Sequence, residues 1–539
     1  MHSRIGSLFA LLALTVAAQA QISTARTDVT ASHLILNVIS PTDTQEVDFA
    51  TGDIDNDGDL DIVVGRKSPF TTLGPKKNIL LLNNGTGVFT DETTTYTNWN
   101  THLNDTRDIE LADMNNDGWQ DVICYNSEDE PTEIFLNLGQ DASGNWLGIS
   151  ASIIQVFAAQ TNFNICGGST IDYNVDGLLD LVRADYQSSN EDDIQEQQPG
   201  LTFQNMTSLL PATFWGSSFG TTVQTRDPAN GGILDLNNDG NVDMILIGSS
   251  EVKAAYTDGM GGFLASHNLT QNTAYAGIYF DIDGDGDIDG FKVNDISDHV
   301  QMTTGFDAQG RIVEGSPITV PSSGGFGANA YAVDFDLDGD LDVFVHGVDV
   351  DIANCGSNTR LKLFLNTGNP AAPFTLDSSF LWPRATYDAA IGDFDGDGAP
   401  DLMTVGCGAD PGWHYYVSDP NASSTAFNSQ LVPSGPNLQI FEVNNIPQGA
   451  GGFRTLYNLF DPNPTHPVGE GPFLGLSADV IGQFFAPPPF VVVVGPGQDQ
   501  YTFPIPTPLP GISSVHFRSV AVDFSSNLVE LTEIGFETL

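Results

Sequence analysis

The chain has 539 residues, 40% of them hydrophobic, which is enough for a folded interior but too long for one ordinary core. Its 69 acidic residues against 17 basic ones give a formal net charge of −52, a surface that repels phosphate backbones and anionic lipid and so argues against nucleic-acid binding. Gly 56 and Pro 30, with only 16% charged residues, favour strands and turns over long helices.

In chain order, the first element is a leader. MHSRIGSLFALLALTVAAQAQ carries Arg4, an apolar run from Ile5 to Ala17, and the small-residue site Ala18-Gln19-Ala20. This predicts a secretory signal peptide over residues 1–20. The apolar run is shorter than the ~20 residues that span a bilayer, so a secreted, extracellular protein without a transmembrane segment is expected. Export brings abundant calcium and an oxidising setting.

An acidic motif then recurs seven times: DIDNDGDLD (Asp53–Asp61), DMNNDGWQD (Asp113–Asp121), DYNVDGLLD (Asp172–Asp180), DLNNDGNVD (Asp235–Asp243), DIDGDGDID (Asp281–Asp289), DFDLDGDLD (Asp334–Asp342) and DFDGDGAPD (Asp393–Asp401). The first aspartates are spaced 60, 59, 63, 46, 53 and 59 residues apart. A period of this length marks stacked structural units. Each unit places an apolar stretch before the motif (EVDFATG, AYAVDF) and a β-branched run after it (DIVVG, DMILIG). A third apolar segment (NILLLNN, LKLFLNTG), a Gly/Asn turn and a fourth segment (GVFTDE) follow. Four short strands per unit predict an all-β, seven-bladed β-propeller over residues 21–431. HLILNVI (His33–Ile39) is expected as the outer strand that closes the last blade. VPSGPN (432–437) is expected as a linker. Residues 438–539, with PFVVVVG, SVHFRSVAVDF and NLVELTEI, are expected to form a small all-β, sandwich-like domain.

The pattern D-x-[DN]-x-D-G-x-x-D sets oxygen donors at positions 1, 3, 5 and 9, with position 7 contributing its backbone carbonyl and the glycine at position 6 permitting the turn. This is the ligand logic of a Ca2+ loop. Up to seven ions are expected. The ligand sets are Asp53, Asp55, Asp57, Asp59 and Asp61; Asp113, Asn115, Asp117, Trp119 and Asp121; Asp172, Asn174, Asp176, Leu178 and Asp180; Asp235, Asn237, Asp239, Asn241 and Asp243. The other three are Asp281, Asp283, Asp285, Asp287 and Asp289; Asp334, Asp336, Asp338, Asp340 and Asp342; Asp393, Asp395, Asp397, Ala399 and Asp401. An EF-hand would need Glu at position 12 and flanking helices. Here that position is Val64, Cys124, Arg183, Leu246, Lys292, Val345 and Thr404, each in or after a β-branched run. The loops with Asn at position 3 (Asn115, Asn174, Asn237) lose a charge and are expected to bind more weakly.

Over roughly residues 46–430 these motifs resemble the FG-GAP/VCBS repeats of integrin α-subunit heads and of many secreted bacterial proteins. The resemblance implies a seven-bladed propeller with calcium in the loops joining the first two strands of each blade. Unlike the integrin version, every blade here carries a loop and no membrane span follows, so integrin partnering is not implied.

Catalysis finds little support. GSSFG (Gly216–Gly220) fits G-x-S-x-G, but the residues after Ser218 lack helical periodicity, which a nucleophile elbow requires. His346 and His414 read as strand residues. The expected function is therefore a calcium-binding recognition or adhesion module for an extracellular glycan or protein, monomeric and without catalytic residues. The alternative is a calcium-dependent, lyase-like polysaccharide-degrading propeller. Four cysteines suggest the pairs Cys124–Cys166 and Cys355–Cys407 on neighbouring blades. A docking face opposite the metal loops is expected around Phe70, Trp99, Tyr186 and Trp382, with Arg66, Lys67, Lys76, Lys77, Arg107 and Arg384.

Overall fold

The computed structural model describes residues 25–419 apart from 44, 68–73, 128, 157–164, 186–191, 211–219, 249–251, 265–266, 270–275, 295, 324–326, 348–360, 378–385 and 407–410, followed by 428–435, 438–444, 454–462, 483, 490–494, 501–506, 514–523, 528–531 and 535–538. The leader, Phe70, Tyr186, Ser218, Cys355, Trp382, Arg384 and Cys407 lie outside the described residues. Two compact units form, Arg26–Phe335 with Gly339–Pro420, and a second built mainly from Asn421–Leu539.

The first unit is a ring of seven antiparallel sheets. Blade 1 runs Glu46–Gly52, Asp61–Lys67, Ile79–Leu82 and Phe89–Asp91, and blade 2 runs Thr106–Ala112, Asp121–Asn126, Thr132–Asn137 and Ile149–Val156. Blades 3 to 6 repeat the order, opening with Ile165–Ile171, Gly220–Gln224, Ala276–Phe280 and Gly327–Val333. Blade 7 contributes Thr386–Gly392, Asp401–Gly406 and Gly412–Asp419. The opening strands touch one another in sequence, and that of blade 7 returns to that of blade 1.

The second strand of each blade begins at the last aspartate of an acidic loop and is buried on both faces, as in DIVVGRK, DVICYN and DMILIG. Burial on both faces explains why these runs read as continuously apolar rather than alternating. Seven hydrophobic clusters fill the seven joints between adjacent blades. The cluster joining blades 7 and 1 packs Phe49, Ile62, Val64 and Phe89 against Phe394, Met403 and Trp413. Burying each such side chain stabilises the ring by about 1.5–3 kcal/mol.

Closure differs from the sequence expectation. The fourth strand of blade 7 is Ala25–Asp28, upstream of the apolar segment expected there. Within His33–Ile39, Leu34 and Ile35 instead pair parallel with Phe89 and Thr90 on the outer edge of blade 1. Polar ARTD can close the ring because Arg26 finds a buried partner. Its Nη1 lies 3.1 Å from Asp377 Oδ2, and its guanidinium sits 4.6 Å over the Phe335 ring.

In the second unit, Asn428–Gly435, Leu438–Asn444 and Tyr501–Pro506 form one sheet, and Val491–Val494, Arg454–Pro462, Ser514–Asp523, Leu528–Leu531 and Gly535–Thr538 a second. Phe441 and Val443 of the first sheet share a core with Leu456 and Phe517 of the second. The linker expectation fails, because Val432–Gly435 belong to the strand Asn428–Gly435 and pair with the strand that follows. No disulfide joins Cys124 and Cys166. Cys124 points into the joint between blades 1 and 2 and receives a hydrogen bond from Asn78 Nδ2 at 3.3 Å. Cys166 begins blade 3, whose neighbouring joint holds a different cluster.

Candidate metal centres

Each acidic loop connects the first two strands of its blade, and its backbone is folded around the carboxylates at positions 1 and 9. In six loops the position 1 aspartate accepts the N–H groups of positions 5 and 6, at 2.8–3.1 Å, and in loop 6 Asp334 accepts that of Gly339 at 3.0 Å. The position 9 aspartate starts the buried second strand and holds the loop to the blade. Asp61, for example, accepts Ile54 N at 3.2 Å and Asn83 N at 2.9 Å. Burial pushes these position 9 carboxyls up to about 8 at Asp61, Asp180 and Asp243, and to about 7 at Asp121, Asp289 and Asp401.

Four loops bring three carboxylates together. Oxygens of Asp53, Asp55 and Asp57, of Asp281, Asp283 and Asp285, of Asp334, Asp336 and Asp342, and of Asp393, Asp395 and Asp401 lie within 4.8 Å of one another in each set. These are the loops with aspartate at position 3. Like charges this close repel by about 4 kcal/mol per pair at an effective dielectric near 20. Two buried oxygens in these loops, Asp59 Oδ1 and Asp283 Oδ1, receive no hydrogen bond. A hard cation fits that donor set, since it would neutralise the charge and satisfy those oxygens.

The asparagine loops solve the same problem internally. Asn115, Asn174 and Asn237 each donate Nδ2 to the position 5 carboxylate, at 2.9, 3.3 and 3.1 Å. Sequence reasoning saw the lost charge but not this hydrogen bond.

Two further features escaped it. Position 4 is left-handed in every loop, with φ of 55° at Asn56, 58° at Asn116, Val175 and Asn238, 59° at Leu337, 74° at Gly284 and 75° at Gly396. The recurrence of Asn and Gly there was the available signal. The amide closing the third strand clamps the preceding blade's loop: Asn83 Nδ2 donates to Phe394 O, Asn137 to Ile54 O, Gln197 Nε2 to Met114 O and Asn366 Nδ2 to Ile282 O, at 2.7–3.0 Å. The repeated LLNN, FLNL and FLNT endings were its trace.

A family model described as FG-GAP-like repeat matches residues 53–124, from the first loop to the second strand of blade 2. Its match takes in both the first and the second acidic loops. The chain is a β-propeller protein that carries an FG-GAP-like repeat. No curated protein matches it. Among solved structures, this chain is similar to an Agrocybe aegerita lectin described as recognising non-reducing terminal N-acetylglucosamine, at 17% identity and TM-score 0.42, over 62% of this chain and 80% of that one. It is also similar to the Photorhabdus luminescens Tc holotoxin pore (15%, 0.34, over 86% and 19%) and to the V. cholerae biofilm matrix protein Bap1 (12%, 0.29, over 96% and 70%). TM-scores this low carry no argument about function.

Three of the residues expected on the docking face are buried instead, while Lys76, Lys77 and Arg107 are partly exposed. Trp99 is fully buried, edge-on to Phe135 at 5.6 Å. Arg66 is buried against Asp43 at 2.8 Å, and Lys67 is buried as well. Apolar contact with the blade core outweighs exposure for an indole in a connecting segment. His346 is buried, shares a hydrogen bond with Thr386 Oγ1 at 3.1 Å, and is pushed down to about 3 by desolvation, which makes it a poor base at neutral pH. His414 pairs with Thr404 in the sheet and stacks on Tyr416. Among the described residues no helix is long and apolar enough to cross a membrane.

Proposed function

We propose that this protein is a secreted recognition module for an extracellular glycan or protein, in which calcium held by the acidic loops stiffens the propeller. The observation that carries the calcium reading is the grouping of three carboxylates within 4.8 Å in four loops. The unpaired buried oxygens of Asp59 and Asp283 support it. Calcium suits a flexible, many-oxygen site better than magnesium, which demands tighter octahedral geometry. Asp53 and Asp281 with their position 3 and 5 partners, and Asp334 and Asp393 with their position 3 and 9 partners, would hold the ions. Bound ion would remove the repulsion within each loop and fix the loop against the next blade through the clamping amides.

Recognition follows from a rigid ring that carries variable connecting segments. Equilibrium dialysis against calcium, followed by binding and turnover assays on a panel of polysaccharides and extracellular proteins, tests both halves. Calcium-dependent binding without release of new chain ends is the expected result. Calcium-dependent chain cleavage would replace this reading with a lyase, and the absence of calcium uptake would remove its metal half.

A further inference from the structure

Loop 7 lies at the seam where the ring closes, and Tyr415 is the residue on which the seam converges. It sits in the third strand of blade 7, paired with Met403. Its ring lies 6.2 Å from Phe394, at position 2 of loop 7, and 5.6 Å from Phe89 of blade 1. Its backbone N–H donates to Thr30 Oγ1 at 2.7 Å and its carbonyl accepts Val29 N at 2.9 Å, so the segment following the closing strand is fastened there too.

The Tyr415 side chain is fully buried, yet its hydroxyl has no hydrogen-bond partner among the described residues. Buried hydroxyls are ordinarily paired, and an unpaired one is costly. The electrostatic neighbours of this one are Asp401, Asp395 and Asp393, the three carboxylates that converge in loop 7. Gly87, in the blade 1 hairpin, fixes the proximity. A Cβ on Gly87 would lie 2.9 Å from Tyr415 Oη and 3.0 Å from Asp395 Cβ, so hydroxyl and loop border one point. With φ of 71° and no side chain, Gly87 lets the hairpin close over both.

We propose that Tyr415 is a further residue of the loop 7 ion site, its hydroxyl donating to a ligand carboxylate or ion-bound water of the occupied loop. Ion occupancy in loop 7 is thereby tied to the joint between blades 7 and 1. The inference rests on the calcium reading above. Its test compares wild type, Y415F and D395N by calcium equilibrium dialysis and by melting with EDTA and with calcium. Phenylalanine keeps the ring contacts and removes only the hydroxyl. Y415F is expected to weaken one calcium site by about 5- to 10-fold, the worth of a single hydrogen bond. In EDTA, where the hydroxyl has no partner among the described residues, Y415F should melt at or slightly above wild type, yet it should gain less from calcium, a partial copy of D395N. Calcium binding and calcium-induced stabilisation equal to wild type would overturn the role of Tyr415 and leave the calcium reading standing. An equal drop in melting temperature with and without calcium would overturn it as well, assigning the hydroxyl to packing. A wild-type protein that takes up no calcium would overturn both.

Discussion

Position 4 of each acidic loop takes a left-handed backbone, and the residues placed there do not tolerate it equally. Asn and Gly accept this conformation at little cost, whereas a β-branched residue clashes with its own backbone by about 1–2 kcal/mol. Val175 in loop 3 stands at φ 58° and is 66% exposed, so it gives up conformational energy without burying itself in return. V175N, which copies loops 2 and 4, is therefore expected to raise stability by about 1 kcal/mol, read as a shift in the denaturant midpoint at unchanged slope. Asn137 is the opposite case. Its Nδ2 donates to Ile54 O at 2.7 Å and Gln120 O at 3.1 Å, while its Oδ1 accepts Gly139 N at 3.1 Å and Trp146 Nε1 at 2.8 Å. Alanine there strands several buried groups at once and should cost about 2–3 kcal/mol or more. Stability unchanged in N137A would show that the clamp between blades 1 and 2 does not operate.

The elements are joined at the seam on two sides. Outside, Ala25–Asp28 adds to blade 7, and the side chains of Arg26 and Asp377 are almost wholly buried against each other. Removing one member of a buried pair leaves an uncompensated charge, so R26A is expected to cost about 3–5 kcal/mol and to expose the N-terminus to protease. Inside, the opening strands hand carboxylates from blade to blade. Asp388 Oδ2 accepts Phe49 N at 2.8 Å, Asp48 Oδ2 accepts Ile109 N at 2.8 Å, and Asp108 Oδ2 accepts Gly168 N at 2.6 Å. Tyr331 Oη and Asn329 Nδ2 also donate to Asp388, while Glu110 lies beside Asp108 and receives Tyr125 Oη. Burial, then the charges of Asp388 and Asp108, hold Asp48 well above the usual carboxylate range. Burial pushes Asp108 up to about 7 and raises Asp388 too.

These carboxyls keep protons in the folded state that they lose when unfolded. Their contribution is fully present below the unfolded value near 3.8 and fades as pH rises through about 7. In saturating calcium, wild type should therefore lose stability between pH 5 and pH 8. D48N, which cannot ionise, should lose less, by a few degrees of melting temperature. Parallel pH profiles for the two proteins would refute the protonation of Asp48 in the folded state.

For the whole molecule, ions bound only to the folded ring stabilise it by about 2.7 kcal/mol per site when free calcium is 100 times Kd. EDTA should lower the melting temperature substantially, with calcium restoring it and magnesium doing so poorly. During gradual chelation the loops starting at Asp113, Asp172 and Asp235 should empty first, because their position 3 amides already neutralise part of the charge. Simultaneous release from all loops would contradict that order.

The blade count and the positions of the acidic loops were legible in the sequence because they are local. A loop of nine residues carries its own donors, and each blade is a meander of neighbouring strands whose apolar runs fix their pairing. Contacts that close the ring were not legible, since they join residues far apart in the chain. Asp388 meets Phe49 across 339 positions, and Arg26 meets Asp377 across 351. Strand propensity favoured HLILNVI over ARTD for the closing strand. The ring reversed that choice because blade 1 took Leu34 and Ile35, while blade 6 supplied a carboxylate for Arg26. Trp99 and Cys124 look like a surface aromatic and a disulfide half in isolation. Both fill the joint between blades 1 and 2, where excluding water from apolar surface outweighs either role.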